Sequence, residues 1–201
     1  SAVNTPAPKK PPSSSHYETV VTASGSKQEK AESSRSIAKV SEEQIRDSQP
    51  TSLLDSLRQE TGVHAQQTNR GAGSPIIRGY VGPQNLILID GMRFNLSTYR
   101  TGPNQYLAMV DPYALKALEV LRGASSVLYG NGAMGGVIQL LTKNPRSTPV
   151  TLNLWTHSAD QGFGFSGTAT QTLNQTSVLA QISMGRHGIL RAGQGRRQPL
   201  S

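Results

Sequence analysis

The sequence contains no cysteine, which excludes disulfide bonds, cysteine-ligated zinc and thiol nucleophiles. Aromatic residues make up only 5% of its 201 residues, with a single tryptophan. Uninterrupted apolar runs are short, such as the one at residues 86–89, whereas a membrane-spanning helix needs about 20 apolar residues. A helical membrane span and a disulfide-stapled fold are therefore both excluded.

The charge balance and the polar residues point to neither nucleic-acid binding nor catalysis. The net charge is +8, but the basic residues of the middle of the chain are scattered, and only residues 186–197 form a basic cluster. Nucleic-acid binding favours a basic patch with interleaved aromatic residues, so no nucleic-acid partner is expected. The four histidines stand in four different sequence contexts, none beside an acid–base partner at a recognisable spacing. We expect no enzyme, no metal and no bound cofactor.

Residues 130–135 (GNGAMG) fit the dinucleotide-binding pattern G-x-G-x-x-G. That fingerprint requires a helix after the glycines and an acidic residue about 20 positions later. Here β-prone residues 137–141 follow, and Trp155 stands near the place of the acid. A tight turn is the favoured interpretation. A nucleotide-binding enzyme remains an alternative, which a thermal-shift test with mononucleotides and dinucleotides would decide.

Composition divides the chain into three zones. Residues 1–36 are rich in Ser, Pro, Ala, Lys and Glu and have few large apolar side chains, which predicts a disordered leader. Residues 37–145 mix short helical and strand signals, which indicates an α+β domain. Residues 146–201 change to the two-residue alternation of antiparallel β-strands.

Local signals place several elements in the middle zone. Ser41 and Ser52 each begin a capping-box pattern, with Gly62 predicted to end the second helix. Residues 86–89 read as a buried strand that closes at the Asp90-Gly91 turn. Asp111-Pro112 predicts the start of a short helix that continues through Leu115.

The alternation in residues 150–184 has two interpretations. Segments of about ten residues with a dyad pattern are typical of outer-membrane β-barrel strands. A soluble antiparallel sheet with one solvent-exposed face produces the same alternation. Spacing alone does not separate the two.

A β-prone island interrupts the leader. It could add as a strand to the sheet edge of another protein through backbone hydrogen bonds. It could also fold onto the chain's own domain, which composition alone favours. Its residues are Glu18, Thr19, Val20, Val21, Thr22 and Ala23.

Four motifs in the middle zone, taken in order, resemble the plug domain of TonB-dependent outer-membrane receptors. They are residues 54–63 (LDSLRQETGV), 77–79 (IRG), 86–95 (LILIDGMRFN) and 119–130 (EVLRGASSVLYG), the last continuing through 135–143. The proline that usually follows Leu-Arg-Gly in this family is Ala124 here.

The resemblance implies an α+β plug domain, preceded by a disordered leader and followed by antiparallel strands of an incomplete transmembrane β-barrel. It implies a TonB box at about 18–24 that binds the periplasmic domain of TonB, and it favours a turn for residues 130–136. The implied cargo is an iron chelate (siderophore or haem) or cobalamin, carried across a Gram-negative outer membrane whose lipid surrounds the full-length barrel. A monomer is expected. The alternative is a stand-alone periplasmic TonB-binding module without transport activity.

The length after residue 145 implies a truncated receptor. Plugged barrels close with about 22 strands of about 9–11 residues each, and residues 146–201 supply only a few of them. We therefore expect the 201-residue chain not to transport by itself.

The resemblance also implies two sets of site residues. Arg78 and Arg122 stand in Arg-Gly motifs, and arginines of this kind pair with barrel carboxylates in similar receptors. The loop after the Asp90-Gly91 turn faces the external pocket in similar plugs. Its aromatic faces, one cation and amides suit an anionic or aromatic chelate, although a solvated loop is an equal alternative. These loop residues are Tyr99, Arg100, Asn104, Gln105 and Tyr106.

Overall fold

The computed structural model describes residues 19–20, 28–29, 37–69, 72–94, 106–123, 126–130, 132–158 and 161–188. Among these residues no helix is both long and apolar enough to cross a membrane. The strands are β1 (Thr19–Val20), β2 (Gln28–Glu29), β3 (Ile37–Ser41), β4 (Val63–Asn69), β5 (Ala72–Ile77), β6 (Asn85–Ile89), β7 (Met92–Arg93), β8 (Leu115–Arg122), β9 (Gly136–Thr142), β10 (Thr151–His157), β11 (Gly162–Leu173) and β12 (Thr176–Arg186). The α-helices are α1 (Glu42–Ser48), α2 (Leu53–Leu57) and α3 (Ser126–Tyr129), and 3-10 turns lie at Gly82–Gln84, Tyr106–Met109 and Pro112–Ala114.

Five strands form a mixed sheet, the central sheet, in the order β3-β8-β9-β6-β7. The β6–β9 pair is parallel, and the other three pairs are antiparallel. The middle strands are nearly continuous runs of Leu, Ile and Val and are buried on both faces, as expected for strands covered on both sides. This mixture of helices and strands confirms the α+β class.

Alternate residues of the central sheet belong to two apolar clusters. The larger cluster joins residues such as Leu118 and Val120 to the buried side chains of α1, α2 and β4–β5. The smaller cluster includes Leu121, Val137 and Leu86. Because side chains of a strand alternate between faces, the clusters lie on opposite sides of the sheet.

The capping box at Ser41 is confirmed, whereas at Ser52 only the Asp55 carboxylate bonds back to the N-cap residue, and the second helix is shorter than expected. Ser41 and Gln44 form the reciprocal bonds of a capping box at α1, which ends before Gln49 in a left-handed conformation (φ 43°). The prediction that Gly62 ends the second helix is wrong, since α2 stops at Leu57 and Gly62 (φ 79°) belongs to the turn into β4. Five residues are enough to bury the apolar face of α2.

Two further predictions concern turns. The hairpin at Asp90-Gly91 is confirmed: both residues have positive φ, and the Asp90 carboxylate accepts hydrogen bonds from the Thr142 amide (2.9 Å) and hydroxyl (2.6 Å). The helix expected through Leu115 is wrong. Asp111 caps only one 3-10 turn, Pro112–Ala114, because Leu115 already pairs with Thr142 as the first residue of β8.

The glycine-rich segment is a turn into a strand. Gly132 has φ of 99°, and the amides of Met134 and Gly135 both donate to the Gln84 carbonyl. Strand β9 begins at Gly136, where a dinucleotide fingerprint would require a helix. The nucleotide-binding alternative therefore lacks its structural context.

The last three strands form a separate antiparallel sheet, the terminal sheet, in the order β10-β11-β12. Its register pairs Leu154 with Phe165 and Phe165 with Met184. In the described residues the sheet is open, with β10 and β12 as its edges.

Candidate functional site

The predicted TonB box lies partly within the described residues. Thr19 and Val20 form β1, which pairs antiparallel with Glu29 and Gln28 of β2. The backbone at these two positions is thus extended, and its partner lies within residues 1–36 and not in the central sheet. The other box residues, Glu18, Val21, Thr22 and Ala23, lie outside the described residues.

The predicted ligand-facing loop lies almost wholly outside the described residues. This applies to Tyr99, Arg100, Asn104 and Gln105, whereas the backbone of Tyr106 begins the 3-10 turn Tyr106–Met109. Leu107 of that turn is buried in the larger cluster, and Met109 is exposed.

Arg78 lies against the second Arg-Gly turn. Both Arg78 (φ 52°) and Gly79 (φ 84°) adopt left-handed conformations directly after β5. The Arg78 Nη1 atom lies 3.1 Å from the position that a Cβ atom would occupy at Gly123. Gly123 itself has φ of 110°, so both the conformation and the close approach of the guanidinium require glycine there.

Arg122 is held by the turn that precedes β4. Its Nη1 atom donates to the Thr61 carbonyl, and its Cδ atom lies 3.4 Å from the Cβ position of Gly62. The Nε atom is buried and has no hydrogen-bond partner within the described residues. The structure therefore brings the two predicted arginine turns together, and neither guanidinium forms an ion pair with a carboxylate of the described residues.

A polar face of the terminal sheet lies toward the central sheet and its covering elements. Gln181 donates to the Asp111 carboxylate (2.9 Å) and to the Ser166 hydroxyl (3.2 Å). Thr170 donates to the Thr148 carbonyl (3.0 Å). Ser166 is fully buried, so hydroxyl and amide groups fill this side of the sheet.

Asp111 also organises the adjoining 3-10 turn. Its Oδ1 atom accepts from the Tyr113 amide (3.0 Å), while its other oxygen accepts from Gln181. Burial of the Tyr113 phenol, and secondarily the negative charge of Asp111, raise the pKa of Tyr113 above its ordinary value of 10.0. The phenol therefore stays neutral at physiological pH.

The opposite face of the terminal sheet is apolar and exposed. Leu154 is 73% exposed, Leu152 67% and Ile182 59%. These residues alternate along the strands with the polar residues of the inner face. A sheet of a water-soluble domain has the reverse arrangement, with its apolar face toward the core.

Sequence reasoning missed an aromatic cluster on the inner face. Trp155 stacks on His187 with centroids 5.1 Å apart, and His157 lies 5.0 Å from Trp155 and 6.1 Å from His187. The fold thus brings together two of the four histidines, which stand in different sequence contexts. Trp155 and His157 share one face because they are two residues apart, but only the strand register brings His187 to them.

A cleft of about 370 Å³ lies beside Trp155 and His187, whereas His157 does not line it and contacts the Gln49 carbonyl oxygen. Pro50, Met109 and Tyr113 line it on one side, and Trp155 and His187 line it on the other. No group of three or more His, Cys, Asp or Glu residues within the described part of the chain could hold a metal ion.

Comparison with known proteins identifies the family. Residues 29–137 match the model of the TonB-dependent Receptor Plug Domain. The match spans more than half of the chain, and the chain belongs to this family. The predicted resemblance is thereby confirmed. The family consists of receptors and transporters and not of enzymes, as the sequence predicted.

Relatives and solved structures agree with this assignment. The vitamin B12 transporter BtuB of Vibrio vulnificus strain CMCP6 is 34% identical over 131 residues, 64% of this chain and 21% of that protein. The ferrichrome outer membrane transporter/phage receptor of Escherichia coli K12 is 32% identical over 142 residues, 66% of this chain and 18% of that protein. The chain thus spans about a fifth of the length of these relatives.

A solved structure shares the fold. The hemophore receptor HasR of Serratia marcescens, solved as a double mutant with its hemophore HasA and heme, superposes with a TM-score of 0.68 at 23% identity. The superposition covers 82% of this chain and 27% of that chain.

Proposed function

We propose that this chain is the plug and energy-coupling portion of a TonB-dependent outer-membrane receptor that imports an iron chelate, haem or cobalamin. Residues 1–36 are the periplasmic leader with the TonB box at about 18–24, residues 37–145 the plug, and residues 146–201 the first barrel strands. TonB binds by strand addition at the box, and the receptor acts as a monomer.

The observation that carries the proposal is the orientation of the terminal sheet. Its polar face lies against the plug, and its apolar face points away. This arrangement is the one a barrel wall needs, with a polar interior and an apolar band toward lipid. It favours a transporter over a stand-alone periplasmic module, which would expose the apolar face to water.

The class of cargo comes from the relatives. One transports vitamin B12, one carries the name ferrichrome transporter, and one solved structure contains heme. All three share the plug with this chain and differ in cargo. The plug fold therefore supports import of a metal complex.

The paired arginines support attachment of the plug to a barrel. Arg78 and Arg122 stand on adjoining turns, with no carboxylate partner in the described residues. Carboxylates on a barrel wall would neutralise both guanidinium groups. In a receptor with its complete barrel, reversal of both charges with Arg78→Glu and Arg122→Glu should loosen the plug, measured as plug retention after mild denaturation. Unchanged retention would contradict this role.

Single-cysteine labelling tests the membrane orientation directly. Because the chain has no native cysteine, each variant carries one spin label. Leu154→Cys places the label on the apolar face of β10, and Asn153→Cys places it on the inner face one residue away. In a detergent micelle or bilayer, the label at 154 should be accessible to oxygen and protected from a water-soluble nickel chelate.

The matched position gives the control. The label at 153 should be less accessible to oxygen than the label at 154, because it faces the plug. Equal accessibility of both labels to the nickel chelate would contradict a lipid-facing sheet and would favour the periplasmic module.

A further inference from the structure

A direct hydrogen bond joins the cleft-side turn of the plug to the terminal sheet. The Gln181 Nε2 atom on β12 donates to the Asp111 carboxylate at 2.9 Å. Asp111 follows the 3-10 turn Tyr106–Met109 and directly precedes the turn Pro112–Ala114. It also lines the cleft beside Trp155. The bond therefore lies where the plug, the terminal sheet and the cleft meet.

Asp111 is fixed on the plug side of this bond. Its Oδ1 atom accepts from the Tyr113 amide (3.0 Å) and caps the following turn, so the orientation of the carboxylate is set within its own segment. Leu107, four residues earlier, is 1% exposed in the larger apolar cluster and anchors the preceding turn. The second carboxylate oxygen, Oδ2, is thus directed toward the terminal sheet, where Gln181 binds it.

Gln181 is fixed on the sheet side of the bond. Its Nε2 atom also donates to the Ser166 hydroxyl on β11 (3.2 Å), and Ser166 is fully buried. A carboxylate only accepts hydrogen bonds, so the amide nitrogen and not the amide oxygen faces Asp111. The Gln181 Oε1 atom is buried and has no hydrogen-bond partner in the described part of the chain. The side chain of Gln181 thus acts as a donor that is already aimed at the plug.

The chemistry of the bond suits a contact that holds and then opens. A hydrogen bond with a charged acceptor is stronger than one between two neutral groups. Because the donor is a neutral amide, separation of the plug from the sheet leaves no second charge without its partner. The bond from His157 to the Gln49 carbonyl oxygen (3.1 Å), which also joins the plug to the sheet, has a backbone acceptor and lacks this charge.

We propose that Asp111 and Gln181 form a latch that holds the cleft-side turn of the plug against the terminal sheet and sets the width of the cleft. Asp111 is a positioning residue in this role and does not bind cargo. The proposal rests on the proposed function, since a plug is held by the barrel wall at rest and moves relative to it during transport.

The single tryptophan gives a distance-sensitive test in the full chain in detergent. Met109 is 73% exposed and lines the cleft on the side opposite Trp155. Met109→Cys is labelled with bimane, whose fluorescence tryptophan quenches at contact distance. Because the chain has no native cysteine and only one tryptophan, the quenching reports the distance across the cleft. Trp155→Phe gives the unquenched reference.

Substitutions at the two latch positions are compared in this background. Gln181→Glu places two carboxylates in contact and Gln181→Leu removes the donor, so both should lower the quenching at least about twofold as the cleft widens. Asp111→Asn combined with Gln181→Glu restores the bond with exchanged roles, because the asparagine amide donates to the new carboxylate while its oxygen still accepts from Tyr113. Its quenching should return to that of the unsubstituted latch. Gln171→Glu, at an exposed position of the same sheet, is the matched control and should leave the quenching unchanged.

Each outcome decides the proposal. Circular dichroism establishes that each variant is folded, and if Gln181→Glu alone is not, Gln181→Leu and the double variant decide. The latch would be overturned by unchanged quenching in the Gln181 variants, by a folded double variant that does not recover, by an equal loss in Gln171→Glu, or by absence of quenching with the latch intact. These outcomes leave the receptor assignment standing, because the spin labels at 153 and 154 test the orientation of the sheet independently.

Discussion

Replacement of Gly164 by alanine tests how the single tryptophan is seated on the terminal sheet. A Cβ atom at position 164 would lie 2.2 Å from Cζ2 of Trp155 and 2.6 Å from the Met184 carbonyl oxygen. Both distances are below those that real Cβ atoms adopt. The indole must therefore leave its position over the glycines, because the backbone carbonyl cannot retreat without breaking the β11–β12 register.

The expected magnitude combines two opposing effects. Overpacking typically destabilises the folded state by about 1–3 kcal/mol. Alanine has less conformational freedom than glycine in the unfolded chain, which offsets about 0.4–1 kcal/mol of that loss. We expect Gly164→Ala to lower the free energy of unfolding by about 1–2 kcal/mol. For a chain of this size that corresponds to a Tm lower by roughly 2–8 °C.

Tryptophan fluorescence gives a direct assay, because Trp155 is the only tryptophan. Its emission should shift to longer wavelength in Gly164→Ala as the ring becomes more exposed. Gly167→Ala is the matched control on the same strand, where the nearest atoms are 3.9 Å from the new Cβ. An unchanged emission spectrum and Tm in Gly164→Ala would refute the reasoning.

Three further predictions concern the plug. Leu118→Ala removes a fully buried side chain from the larger cluster and should cost about 2–5 kcal/mol in urea unfolding, whereas exposed Lys116→Ala should change stability by about 0.5 kcal/mol or less. Because the pKa of Tyr113 is raised, the folded state binds the phenol proton more tightly than the unfolded state does, and the stability that this gives is lost as pH rises above about 10. In Tyr113→Phe the Tm should therefore fall less steeply with pH above about 10. Asp90→Ala removes both bonds to Thr142 and places alanine at φ 48°, so it should destabilise more than Asp90→Asn in thermal unfolding.

Local chemistry in the sequence was sufficient to predict several elements. Ser41 with Gln44 specified a capping box, and Asp90-Gly91 specified a hairpin, because both patterns act within four residues. The two-residue alternation around Leu152 and Ile182 predicted strands for the same reason.

Elements that depend on partners distant in sequence were not predicted. Strand β3 precedes a helix directly, and β4 (VHAQQTN) is mostly polar, so neither has a strong strand signal by itself. Each is held by pairing, β3 with β8 and β4 with β5. The parallel β6–β9 pairing likewise joins segments about 50 residues apart, which no local pattern encodes.

The site was predictable only in part, for the same reason. Arg78 and Arg122 were singled out from family motifs, but their meeting at Gly123 follows from the three-dimensional fold. The pairing of His157 with His187 depends on the register of three strands, and spacing in the sequence places them 30 residues apart.

Calorimetric titration with the periplasmic domain of TonB tests the central claim most directly. Three proteins are compared: the intact chain, a variant lacking residues 1–24, and a control lacking residues 1–12 that keeps the box at 18–24. We predict that the intact chain and the control bind equally and that the longer deletion abolishes binding. Undiminished binding after deletion of residues 1–24, or no binding by the intact chain, would contradict energy coupling through this leader.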